Sequence, residues 1–299
     1  MRDHFKAVMP VLLAVLVGCP TQPDPVVPPP TGSTDTLLGT VIVIGNERYD
    51  FNADTSTPDN PVAGASFSRQ TGTQTIPSDP FSSLREKCFD TSVGAATTLF
   101  TSLKLELPSG TPIEAGSSIT LSGGVVAFGT LSRTALGQYS PASTLPKAVP
   151  KTLLVTVPGA SGGFPATSDN ISILSSKALR PNGFKVNEPN VIGQQSDLDV
   201  DISMKWTPGA ALAAGSSGAV ILEFYGVTSR DDRVTCVAND DGEFTFKASD
   251  PTYIKLKLTN AKVRFESSAR TVARVKTVGA NTYLTTVLVD RTVAVPPAL

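Results

Sequence analysis

Few residues of this 299-residue chain have types and spacing suited to chemistry: three cysteines, one histidine, one serine string and two acidic sets. The serine string, Gly159-Ala-Ser161-Gly-Gly163, fits the Gly-x-Ser-x-Gly pattern in which a strained turn exposes a nucleophile. Such a turn needs a strand before it, a helix after it and a histidine elsewhere. Leu153 to Val157 can supply the strand, but Phe164-Pro165 follows where a helix should begin. The sole histidine, His4, lies in a segment built like a secretory signal: a charged start, Met1 to Lys6, and then the apolar run Ala7 to Val17. That run is too short to span a bilayer, so residues 1–18 are expected to be removed. The mature chain then has no general base for Ser-His-Asp or Cys-His catalysis and no histidine for a metal. No catalytic residue, metal or cofactor is expected.

The acidic sets are Asp197, Asp199 and Asp201, spaced along one strand face, and Asn239-Asp240-Asp241 with Glu243 around a turn. Oxygen ligands of this kind suit calcium, but carboxylates about 7 Å apart along a strand do not converge on one ion without help from other loops. The plainer reading is a solvated strand face and a polar turn.

The apolar run ends in Leu16-Val17-Gly18-Cys19, which resembles the lipobox of bacterial lipoproteins. The resemblance covers the signal segment alone. It implies that the Cys19 thiol is lipidated, that cleavage leaves Cys19 as the new N-terminus, and that the membrane is a partner through that lipid. In a host with two membranes, Pro20 in the following position permits sorting to the outer membrane. Residues 19–36 form a tether. Six prolines fall before residue 31, and an extended polyproline segment of this length reaches up to about 50 Å from a bilayer.

From Leu37 onward the periodicity is that of strands. Leu198, Val200, Ile202, Met204 and Trp206 alternate with polar residues, which places Trp206 on an apolar face, and Leu103–Leu107 and Ile254–Leu258 alternate in the same way. Further strands are expected at 40–44, 153–157, 219–225, 233–237, 243–247, 261–266, 271–278 and 283–289. Asp241-Gly242 reads as a tight hairpin turn and Gly279-Ala-Asn281-Thr as the last one. Helix is scarce, with short turns expected after Asp79-Pro80 and at Ser175–Leu179. The fold class is all-β: an antiparallel β-sandwich, with two immunoglobulin-like domains at 37–185 and 186–299 following the tether. A weak echo, Ala115-Gly-Ser-Ser118 and Ala214-Gly-Ser-Ser217, motivates the duplication.

Cys88 and Cys236 remain after processing, and in an extracytoplasmic compartment two leftover thiols are expected to form a disulfide. Residues 251–299 carry Lys255, Lys257, Lys262, Arg264, Arg270, Arg274, Lys276 and Arg291 against only Glu266 and Asp290. A basic outer face could meet anionic lipid or envelope polysaccharide, or could simply offset the acidic remainder of the chain. The whole-chain charge of −1 gives no reason to expect nucleic acid as a partner. The expected function is that of a non-enzymatic, lipid-anchored cell-envelope protein with a structural, adhesive or ligand-presenting role, facing polysaccharide or another envelope protein. The alternative is a carboxylate-dependent enzyme or binding module for polysaccharide.

Overall fold

A computed structural model describes residues 34–50, 55–91, 110–123, 126–173, 185–186, 195–197, 201–229, 231–260 and 262–295. These residues are nearly all β, in keeping with the period-two patterning. In chain order the strands are β1 (Thr36–Asp50), β2 (Thr55–Gln70), β3 (Lys87–Asp90), β4 (Thr111–Pro112), β5 (Ser118–Gly123), β6 (Val126–Ala135), β7 (Gln138–Pro141), β8 (Thr152–Val157) and β9 (Thr167–Ser172). They continue with β10 (Lys185–Val186), β11 (Gln195–Asp197), β12 (Ile202–Lys205), β13 (Ser216–Gly226), β14 (Arg233–Ala238), β15 (Glu243–Phe246), β16 (Lys262–Gly279) and β17 (Thr282–Val295), with the helix α1 (Pro251–Thr259) before β16.

Fourteen strands share one sheet, in the order β3-β14-β13-β16-β17-β1-β2-β7-β6-β5-β8-β9, with β11 on β16 and β4 on β2; β10, β12 and β15 form a second, small sheet. Strands from both sides of residue 186 lie along this path. Among the described residues every ladder is antiparallel except the one that joins the first described strand to the last, β1 with β17. The large sheet curls until its end strand β9 returns to β16. There Arg274 donates to the Asn170 carbonyl at 2.9 Å and Lys276 to that of Ser168, covering a free strand edge with side chains.

Alternation along the central strands sorts apolar residues into separate cores. Val41 and Val43 of β1 enter a core inside the curl with Phe67, Ile119, Leu131, Leu153, Phe164 and Leu288. Ile42 and Ile44 face the other way, against Phe81, Leu84, Ile221 and Val289. A third core sits between the two sheets around Trp206, Phe224, Phe246, Tyr253 and Phe265. Gly39 is required by packing, since a Cβ there would stand 2.6 Å from the Phe67 ring.

Three expectations are corrected. The alternation Ile254–Leu258 is helical: Asp250 caps α1 by accepting from the Thr252 amide, Pro251 opens the first turn, and Tyr253 and Leu256 face inward while Leu258 is 80% exposed. From Lys262 on, the segments expected at 261–266 and 271–278 are one strand, β16, bent where the register slips between Glu223 and Phe224 of β13. Asp241-Gly242 does not close a hairpin. β14 stays in the large sheet between β3 and β13, whereas β15 pairs with β12, so Gly242 (φ 109°) turns the chain from one sheet to the other. The last turn is as expected, with Asn281 at φ 53° between β16 and β17. The echoed tetrapeptides behave alike locally, since Gly116 and Gly215 both take positive φ just before a strand. After Asp79-Pro80 the chain makes hydrogen-bonded turns that bury Phe81 and Leu84. Ser175–Leu179 and Leu103–Leu107 lie outside the described residues.

Candidate functional site

A buried polar cluster lies where β16 passes between two cores. Along that strand Arg270 falls between Phe265, which belongs to the core between the sheets, and Val272, which belongs to the core inside the curl. Its guanidinium, 5% exposed, grips Asp240 in a fork: Nε to Oδ2 at 2.6 Å and Nη2 to Oδ1 at 3.0 Å. Nη2 also donates to the Thr207 carbonyl at 2.8 Å, and the Trp206 indole N–H donates to Asp240 Oδ1 at 3.0 Å. Charges taken this far from water hold only with such complete partnering. The cluster ties the segment after β12 and the turn after β14 onto β16.

A cavity of about 260 Å³ opens beside it, lined by Ile173, Ala211, Leu212 and Val272 with Arg270 and Asp240 on one wall. Asp240 is the one carboxylate among the described residues of that lining, and Arg270 engages it.

The disulfide joins Cys88 to Cys236, whose Cα atoms are 4.0 Å apart as directly opposed residues of β3 and β14. It secures the strand at one end of the sheet path. Cys236 is buried, and Cys88 packs against the core between the sheets. Beside the pair, the hydroxyls of Thr91 and Thr235 lie 3.1 Å apart.

Four of the eight basic residues of the C-terminal segment are paired with acids. Lys255 pairs with Asp90, Arg270 with Asp240, Arg274 with Asp169 at 3.5 Å and Arg291 with Glu223 at 2.5 Å, so acids from earlier in the chain meet these cations one by one. Charge offset within the body, the plainer of the two expectations, accounts for these four. Asp169 stands out among the acids. Its side chain is 1% exposed, and burial raises its pKa, an effect that the neighbouring Thr286 hydroxyl and the charges of Arg274 and Lys276 reduce without cancelling. The sequence patterns single out other acids, although Asp169 falls in phase with Ile171 and Ile173, which are both buried. Arg270 is hidden for a different reason, since Ser267-Ser268-Ala269-Arg270 reads as a gap between two strands.

Among the calcium candidates, Asp201 accepts from the Ala248 amide at 2.8 Å, Asp240 is held by Arg270, and Asp241 accepts from the Glu243 amide at 3.4 Å. No group of three or more His, Cys, Asp or Glu side chains among the described residues converges as a metal site. The side chain of Asp197 and all of Asp199 lie outside the described residues. Ser161 sits in an exposed loop that folds back through Ala160 N–H to Phe164 O (3.0 Å) and drops Phe164 into the core; β9 follows it, not a helix. Cys19 and the tether to residue 33 also lie outside the described residues. No described helix is long and apolar enough to cross a membrane. No family model matches the chain, and no curated protein matches it.

Proposed function

We propose that this is a non-enzymatic, lipid-anchored protein of the cell envelope, held through Cys19 and serving a structural, adhesive or ligand-presenting role; in a host with two membranes it resides at the outer one. The observation that carries the reading is Leu16-Val17-Gly18-Cys19 at the end of a signal-like run, followed at once by a proline-rich stalk. The body supports it in three ways. Trp206, the only tryptophan, is 6% exposed and offers no platform for a sugar ring. In the cavity beside Arg270, the one carboxylate among the described lining residues, Asp240, is bonded to that arginine. A disulfide between opposed strands suits an extracytoplasmic compartment. A multiply acylated cysteine binds a bilayer far more firmly than the marginal hold of one chain. Cys19→Ala should therefore move the protein from the carbonate-washed membrane fraction to the soluble fraction. Retention of the variant in washed membranes would overturn the reading.

A further inference from the structure

The strand at which the tether joins the body is held by the two longest ladders in it. Along β17 the register of β1 runs in parallel from Leu37 opposite Thr282 to Asp50 opposite Val295. Along β2 it runs antiparallel from Thr36 opposite Gln70 to Asp50 opposite Thr55. Both faces of β1 are buried in its first half, with Val41 and Val43 in one core and Ile42 and Ile44 in another, so water has little access to those hydrogen bonds. The point of entry is pinned as well. Thr36 is fully buried; its hydroxyl donates to the Gly72 carbonyl and accepts from the Gln74 amide, each at 2.8 Å. Asp35 accepts from the Gly72 amide at 3.4 Å, and the Leu37 amide donates to the Asn281 carbonyl at 2.8 Å.

We propose that β1 is a mechanical clamp: tension entering through the tether at Asp35 is borne in shear by both ladders of β1, which lets the body stay folded while it holds a load. The source of the load rests on the lipid-anchored reading; the clamp rests on the register alone. Inter-strand hydrogen bonds lie across the strand axis, steeply so in the antiparallel ladder and at a slant in the parallel one. A force along the axis therefore loads many of them together, whereas a force across it opens them singly from one end. Because β1 and β17 are parallel, β1 begins and β17 ends at opposite ends of the shared ladder, roughly 45 Å apart at about 3.3 Å per residue. A pull between the N-terminal and C-terminal sides of the body slides these two neighbours past each other.

The test is single-molecule pulling of the oxidised full chain along two axes. One axis joins handles at the two chain ends. The other joins the N-terminal handle to a handle inserted at the Ala280-Asn281 turn, which lies beside the start of β1, so that β1 is peeled from β17. The first axis should rupture at a force several-fold higher than the second. The turn-insertion chain pulled by its two ends must keep the high force, which separates peeling from damage by the insertion. Similar forces along both axes, or a low end-to-end force in every chain, would overturn the clamp. Retention of Cys19→Ala in membranes would instead overturn the anchor, and with it the assigned source of load, while the force ratio still reports on the clamp itself.

Discussion

Trp206 links packing to polar satisfaction in a single side chain. Its ring fills the core between the sheets, and its N–H supplies one of the donors that hold Asp240 in place beside Arg270. Trp206→Ala should cost roughly 3 to 5 kcal/mol in urea unfolding, because a large cavity opens and Asp240 loses a partner. Native fluorescence should resist acrylamide. Ready quenching, or a loss below about 1 kcal/mol, would mean that the ring is a surface feature, and the carbohydrate reading would regain its platform. This placement is legible in the sequence, since Ile202, Met204 and Trp206 share a phase. The partner is not, because nothing in a linear pattern pairs Asp240 with an arginine 30 residues later.

Asp169 gives the residue scale its pH dependence. Burial raises its pKa in the folded chain, so its contribution to stability is fully present below the usual carboxylate range, near 4, and is lost as pH rises through the raised value. Asp169→Asn should consequently be more stable than the natural chain at pH 7, with the difference vanishing in acid. Thermal melts at the two pH values check this. A variant less stable at pH 7 would show that the Arg274 pairing outweighs the cost of burying the charge.

At the scale of elements, legibility depends on whether a segment's own pattern decides its structure. β8, β13, β14 and β17 are evident as apolar or alternating runs. β2 is not, because Thr55 to Pro61 has neither alternation nor β-branched apolar residues and contains Pro58 and Pro61. Pairing with β1 makes it a strand, and proline is tolerated there because no described ladder occupies the outer side of that stretch. The helix α1 is masked in the sequence because Ile254, Leu256 and Leu258 alternate by coincidence; Asp250-Pro251 is the helix-start signal that outweighs them.

The disulfide also belongs to this scale, because β3 is only four residues long and ends the sheet path. Closing a loop across a sequence separation of 148 is worth about 5 kcal/mol in the chain-entropy model. Reduction should lower the unfolding free energy by an amount of that order, read as a shift in urea midpoint between oxidised and reduced chains. Coincident midpoints would contradict the bridge or its role.

At the scale of the whole molecule, the tether meets one end of β1, and the far end of the same ladder carries the β1–β2 tip and the end of β17. On the proposed lipid-anchored reading, a body hung from Asp35 presents that far end away from the membrane, together with α1, which precedes the corresponding end of β16. The tether and the strands are visible in the sequence, but the parallel union of the first strand with the last depends on contacts almost the full chain apart and has no local signature. The lipid anchor is tested most directly by the intact mass of the protein recovered from membranes. The expected mass is that of a chain beginning at Cys19, lacking residues 1–18 and carrying acyl groups on that cysteine. A chain that retains residues 1–18, or one with an unmodified Cys19, would contradict the anchor.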